Sequence, residues 1–309
     1  MELKKSNEPI VQLKNVTKTM NKRKIIDNLS IDLNEGEVFG FLGPNGAGKT
    51  TTIRMMVGLI SMTEGDVIIR GNSIRQDFEK AIRHVGAIVE NPEMYKYLTG
   101  YQNLLHYSRM VPGITRQRID EVVELIGLKG RIHDKVKTYS LGMRQRLGIA
   151  QAVMHKPSLL ILDEPTNGLD PQGIRELRDY LRKLAKDEGI TVFVSSHLLS
   201  EMELMCDRVV IIQGGKLIDT RSIGHTAIPE TESQRVLFEV DRAHDALELL
   251  QGQEAGIDNG LIWINSDREG IAAANARLVA AGFKVYAIRV QNISLEDQFL
   301  EMTGGGRIV

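Results

Sequence analysis

Residues 43–50 read Gly-Pro-Asn-Gly-Ala-Gly-Lys-Thr, closing the apolar run Val38–Leu42 and opening a segment, Thr50 to Ile60, whose apolar residues recur at helical spacing. The pattern is GxxxxGK[ST] in a strand–loop–helix setting, the context in which it cradles phosphates. A polyphosphate needs several donors at short range. Glycines let the loop curl so that its N–H groups converge on the anion, and the helix start adds a favourable field. This reading assigns Gly43, Pro44, Asn45, Gly46, Ala47, Gly48, Lys49, Thr50 and Thr51 to nucleotide binding. Lys49 is expected to span the β- and γ-phosphates of ATP, and the Thr50 hydroxyl to hold Mg²⁺. Alone, the motif leaves kinases, GTPases, recombinases and motors open.

Upstream, PIVQLKNVTKTM (9–20) and SIDLNEGEVFGFLG (30–43) alternate apolar and polar residues as antiparallel strands leading into a core strand do. EGDVIIRGNSI (64–74) reads as a further short strand. From about Pro92 to Met154 the pattern is mostly helical, an inserted lobe. SLLILDEP (158–165) and GITVFVSSH (189–197) are short, apolar and rich in branched residues, fitting parallel strands buried on both faces, with helical periodicity over Arg175–Gly189 between them. These alternating elements predict a doubly wound α/β core over residues 1–220. RSIGHTAIPETESQ (221–234) reads as a linker. Beyond it RVLFEV, AHDALELLQ, GLIWINS, REGIAAANARLVAAG, KVYAIRV and SLEDQFLEMT alternate strand-like and helix-like, predicting a small ferredoxin-like α+β domain within 221–309 and a frayed GGGRIV tail.

The 309 residues are 42% hydrophobic, enough for a full core, and their formal net charge of −1 gives no excess for tracking a nucleic-acid backbone. Nucleic acid is not expected as the partner. No stretch approaches the roughly 18 apolar residues of a membrane-spanning helix. The lone Cys206 and the leader MELKKSNEPI point to the reducing cytoplasm, with Cys206 packed as a small apolar residue.

SLLILDEP adds two acids. Asp163 ends a buried strand, where it can hold Mg²⁺ through water, and Glu164 follows, placed to polarise a water attacking the γ-phosphate. With these residues on the page, GPNGAGKTT, YSLGMRQR, LLILDEPTNGLD and VSSH, in that order, resemble the Walker A, signature, Walker B with D-loop, and switch-histidine motifs of ABC ATPases. The resemblance spans roughly residues 9–220. It implies an ABC-ATPase (RecA-like) parallel-sheet core with an antiparallel β subdomain and a helical lobe, hydrolysing ATP with Mg²⁺. It makes Glu164 the general base, His197 the γ-phosphate contact that holds the water in line, and Asp170 the D-loop acid that communicates across a dimer. Ser140 and Gly142 of one copy would cover the nucleotide held by the other, so two copies would sandwich two ATP molecules. His84, His106 and His155 read as ordinary residues.

Three positions depart from the family pattern. YSLGM stands where LSGGQ is usual, replacing the first glycine with Leu141. Glu90 in VGAIVENPEMY stands where the Q-loop glutamine is usual, keeping an oxygen for Mg²⁺ while adding a charge. Met20 falls where an aromatic usually stacks on adenine. Glu90, YSLGM, LTGYQNL and the terminal SLEDQFLEMTGG resemble the bacitracin-type branch of drug and peptide exporters. That resemblance implies a separate permease of the ABC-2 type, a location at the inner face of the membrane through it, and cargo such as a peptide antibiotic, drug or lipid-linked compound. The alternative is a non-transport ABC ATPase acting on ribosomes or nucleic acid, against which stand the single cassette and the absence of a long heptad stretch.

Overall fold

The computed structural model describes residues 9–223, 234–250 and 254–290. The chain divides into two compact units, Met1–Ile223 and Gly224–Val309. Most of the expected linker, and the SLEDQFLEMT and GGGRIV segments, lie outside the described residues.

The first unit begins with β1 (Val11–Met20) and β2 (Arg23–Leu33), then β3 (Val38–Leu42), α1 (Lys49–Met56), β4 (Glu64–Ile69), β5 (Asn72–Ser73), α2 (Phe78–Ile82) and β6 (Val85–Ile88). The helical lobe follows as α3 (Gly100–Ser108), α4 (Arg116–Leu125), a 3₁₀ turn at Val136–Thr138, and α5 (Leu141–Val153). The core resumes with β7 (Leu159–Leu162), α6 (Pro171–Glu188), β8 (Thr191–Ser196), α7 (Leu199–Met205), β9 (Arg208–Gln213) and β10 (Lys216–Ser222). One antiparallel sheet has the order β2-β1-β4-β5. The other runs β10-β9-β3-β8-β7-β6, parallel except for β10 on the edge. The mixed parallel and antiparallel architecture is the expected α/β cassette.

The central strands are apolar because both faces are covered: every residue of β3, β7 and β8 is buried. Phe39 stacks on Phe193 at 5.7 Å, tying β3 to β8. Gly40 lets α7 approach β3, since a Cβ there would meet Val209 at 2.8 Å and the Cys206 sulfur at 2.9 Å. Helix α6 is written into its sequence with an Asp170 N-cap, Pro171 at its first position, and Gly189 at φ +67° as its stop. Its buried stripe is Leu177, Tyr180, Leu181 and Leu184. The expected linker begins two residues inside β10, because backbone pairing with β9 continues to Ser222 opposite Arg208.

The second unit contains β11 (Gln234–Val240), α8 (Ala243–Glu248), β12 (Ala255–Asp258), β13 (Leu261–Ser266), α9 (Arg268–Ala280) and β14 (Val285–Val290). Its antiparallel sheet has the order β12-β13-β11-β14, the βαββαβ arrangement of a ferredoxin-like domain. Val236, Phe238, Ile262 and Ile264 meet Ala246, Leu250, Ala274 and Leu278 in its core.

Candidate active site

The loop between β3 and α1 has little freedom. Gly43 lies so close to β9 that a Cβ would stand 2.5 Å from the Ile212 carbonyl. At Gly48, where φ is +108°, a Cβ would stand 2.3 Å from Ile26. That conformation turns the chain into α1 without any side chain capping its first turn. The N–H groups there are left for an outside acceptor, and no acidic residue sits in that turn to repel an anion. Lys49, only 6% exposed, folds back so that Nζ donates to the carbonyls of Gly43 at 2.7 Å and Pro44 at 3.3 Å. Beside it lies a cavity of about 320 Å³ lined by Ile25, Asn45, Gly46, Gly48, Lys49, Thr50, Thr51 and Glu164. A helix start with free donors, a buried ammonium and a cavity of this size fit a nucleotide's phosphates.

The acids enter from β7. Asp163 is buried, and its Oδ1 accepts the Ser195 hydroxyl at 2.6 Å. Glu164 turns back toward the loop with φ +49°. Its Oε1 lies 3.1 Å from Lys49 Nζ, and its Oε2 meets His197 Nδ1 at 2.6 Å and accepts Asn167 Nδ2–H at 3.1 Å. A carboxylate can only accept, so Nδ1 is the protonated nitrogen of His197. Burial alone would raise the Glu164 pKa. The hydrogen bond from His197 and the hydrogen bond and charge of Lys49 outweigh burial and hold it below the ordinary value. Thr50 at the first turn of α1 and Asp163 after β7 are the side chains that would hold Mg²⁺. Among the described residues no cluster of three or more His, Cys, Asp or Glu forms a metal cage. One hydroxyl and one carboxylate completed by phosphate oxygens is the way Mg²⁺ is ordinarily held beside a nucleotide.

Asn45, Gly46, Gly48, Lys49, Thr50, Thr51 and Glu164 are thus brought together around the cavity, with His197 on Glu164 and Asp163 beside it, whereas Glu90, Met20, Ser140, Gly142 and Asp170 do not line it. Glu90, at φ +69°, is 62% exposed and pairs with Arg54 of α1 at 2.5 Å; it does not line the cavity. Met20 is half exposed at the end of β1 and is also absent from the lining, where Ile25 of β2 stands instead. Ser140 is the exposed N-cap of α5, accepting the Met143 N–H at 3.2 Å, with Gly142 in the first turn. Asp170 caps α6 by accepting the Gly173 N–H at 2.9 Å. The signature and D-loop segments pack side by side: a Cβ on Gly168 would lie 3.0 Å from Leu141, and one on Gly142 3.8 Å from Leu169.

Four residues at or near the site went unread in the sequence: Ile25, Arg54, Asn167 and Ser195. VSSH carried a signal for Ser195, since two hydroxyls in an otherwise apolar buried strand need partners. His155 packs with Nε2 3.1 Å from the Val85 carbonyl, and burial pushes its pKa down. Cys206 is buried with its sulfur 3.6 Å from that of Met202, and burial raises its pKa far out of the reactive range.

A family model described as ABC transporter matches residues 26–167. The ABC transporter ATP-binding protein YhcH of Bacillus subtilis (strain 168) is 57% identical over 295 residues, 96% of each chain. The bacitracin transport ATP-binding protein BcrA of Bacillus licheniformis is 40% identical over 97% of this chain and 99% of its own. Among solved structures, the ATP-binding cassette MJ0796, dimeric in a post-hydrolysis state with ADP and Pi, superposes with a TM-score of 0.61 at 27% identity. That match covers 69% of this chain and 99% of the cassette.

Proposed function

The chain belongs to the ABC transporter ATP-binding proteins, and from that premise we propose that it is the motor of an exporter for a peptide antibiotic or similar amphiphile. In this reading two copies close on two ATP molecules and pass the motion to a separate membrane permease. The observation that carries the hydrolytic part is Glu164 held between Lys49 and His197 beside the phosphate cavity.

Glu164 Oε1 and the Lys49 ammonium satisfy each other at 3.1 Å. A γ-phosphate entering the cavity competes for the Lys49 ammonium and releases Oε1. With Lys49 drawn to the phosphate and a new negative charge nearby, the pull that lowers the Glu164 pKa weakens, so its basicity rises as substrate arrives. Oε1 can then take a proton from water while that water's oxygen attacks the γ-phosphorus. The bond to the β–γ bridging oxygen breaks, leaving ADP and inorganic phosphate. His197 keeps the carboxylate oriented through Oε2. Mg²⁺ bound with the nucleotide at Thr50 and Asp163 would neutralise charge on the phosphate oxygens.

The dimer is supported by the exposed Ser140 and the half-buried Gly142 beside it, neither of which lines this chain's own cavity, and by the dimeric state of the MJ0796 cassette. A separate permease is supported by the kinship with proteins named as the ATP-binding parts of transporters, such as the bacitracin transport ATP-binding protein. Docking to it places the chain at the inner membrane face. The peptide-antibiotic cargo is supported by the 40% identity to the bacitracin transport protein.

Two measurements test the proposal. Lys49→Ala should abolish tight ATP binding by the purified chain, and near-normal affinity would overturn the phosphate site. A tagged chain purified from its own membranes with mild detergent should bring down an integral membrane protein. Recovery of ribosomes or nucleic acid in its place would overturn the transport reading.

A further inference from the structure

Strand β8 delivers His197, but its last two residues are also chemically engaged. The Ser195 hydroxyl, fully buried, donates to Asp163 Oδ1 at 2.6 Å and accepts the Glu164 N–H at 2.9 Å. Both acids of the site therefore depend on one oxygen of a neighbouring strand. The Ser196 hydroxyl accepts the Leu198 N–H at 3.0 Å and donates to Glu201 Oε2 at 3.3 Å. The same Glu201 oxygen accepts the buried Thr166 hydroxyl at 2.6 Å.

These bonds bracket Pro165. Glu164, just before it, has φ +49°, whereas a residue preceding proline favours extended backbone and left-handed φ is uncommon without glycine. Such a conformation is strained and persists only where the surroundings over-determine it. Here the surroundings are Ser195 on the N-terminal side of the proline and Glu201 on the other. Relaxed toward extended backbone, Glu164 would swing its carboxylate away from Lys49 and His197.

We infer that Ser195 is a positioning residue for ATP hydrolysis: its hydroxyl holds Glu164 in the left-handed turn that aims the base and fixes the facing oxygen of Asp163. The Glu201–Thr166 bond is the second tether of the same turn. The inference rests on the hydrolytic reading above. It assigns to these residues an effect chiefly on turnover, because their side-chain hydrogen bonds go to Asp163, Glu164, Thr166 and Ser196 rather than to the Lys49 loop.

The test compares kcat, ATP KM and ATP affinity in the full-length chain, with melting recorded for each variant. Ser195→Ala should lower kcat on the order of 10-fold or more while leaving KM and affinity within about 3-fold. Ser195→Thr, which keeps the hydroxyl, should recover most of the loss. Glu201→Ala should give a smaller fall with the same split, and Glu201→Gln, which keeps an acceptor for Thr166, should be close to wild type. A Ser195→Ala chain that melts normally and keeps its kcat overturns the inference, as does a loss divided equally between binding and turnover. If Ser195→Ala does not fold, Glu201→Ala decides, and an unchanged kcat there overturns it. Glu164→Gln distinguishes the levels: inactive Glu164→Gln beside active Ser195→Ala sinks only this inference, whereas active Glu164→Gln sinks the hydrolytic reading.

Discussion

Two helix starts in the first unit invite comparison, that of α1 at Gly48 and that of α5 at Ser140. At Gly48 no side chain caps the turn, φ is +108°, and a buried ammonium follows at once. At Ser140 the hydroxyl already accepts the Met143 N–H, the residue is exposed, and the first turn carries no acid and no buried cation. The first start keeps its donors for an anion and completes a cavity inside the chain. The second is a satisfied cap that can serve an anion only when another surface brings one to it. Under the proposed function, a single chain therefore carries a phosphate grip with Glu164 as its proposed base, and a separate outward-facing segment at Ser140 as the proposed lid.

The largest expected effect lies at the first start. Glu164→Gln keeps the shape of the side chain and removes the base, so ATP should still bind while turnover falls on the order of 10²–10⁴-fold, measured as phosphate release. Turnover within a few-fold of wild type would leave Lys49 and His197 paired with a carboxylate that does no chemistry.

Next comes the outward lid. Ser140→Ala should reduce turnover roughly 10- to 100-fold with little change in ATP binding by the isolated chain. Mixing it with inactive Lys49→Ala should restore part of the activity. In a mixed pair, one composite site carries both defects and the other is intact. No recovery on mixing would mean that Ser140 acts within its own chain, and the contrast between the two helix starts would fail.

Asp170 sharpens the contrast at a smaller scale, because it is both a cap in this fold and the expected D-loop acid. Asp170→Ala should destabilise the chain by about 1 kcal/mol through loss of the α6 cap, read from denaturant unfolding. Asp170→Asn keeps a capping oxygen and should retain stability. A fall in turnover for the Asn variant would assign the carboxylate charge a role beyond the cap.

How much of this was legible depended on whether partners were neighbours in sequence or in space. The loop 43–50, Asp163, Glu164 and His197 could be read because each follows the C-terminal end of an apolar strand, β3, β7 or β8, of the parallel sheet. Glu90 was found as a position, yet its partner Arg54 lies 36 residues away on α1, a pairing that only the packed fold creates. Met20 was placed by the family pattern, as the position where an aromatic usually stacks on adenine, but β1 pairs with β2 through several register irregularities, and Ile25 lines the cavity instead. The same irregularities break the alternation that would have marked the first half of β2. The two hydroxyls of VSSH signalled that Ser195 needs a partner, but that the partners are Asp163 and Glu164 emerges only once β7 is placed parallel beside β8. β12, flanked by turn-forming residues in QGQEAGIDNG, offered no alternation.

The smallest effect concerns the resting clasp of Glu164. Its pKa is lowered below the ordinary 4.5, with His197 and Lys49 as the stabilising partners that outweigh burial. A carboxylate with a depressed folded pKa contributes stability that is fully present above its unfolded value and is lost as pH falls through the folded one. Wild type should therefore melt above Glu164→Gln at neutral pH without nucleotide, and the gap should close as the pH drops below about 4.5. Saturating ATP at neutral pH should narrow the same gap, because a phosphate that takes Lys49 removes half of the clasp. A gap that is independent of both pH and ATP would mean that the carboxylate and the ammonium do not exchange partners. The rise in Glu164 basicity on substrate arrival would then have no physical source.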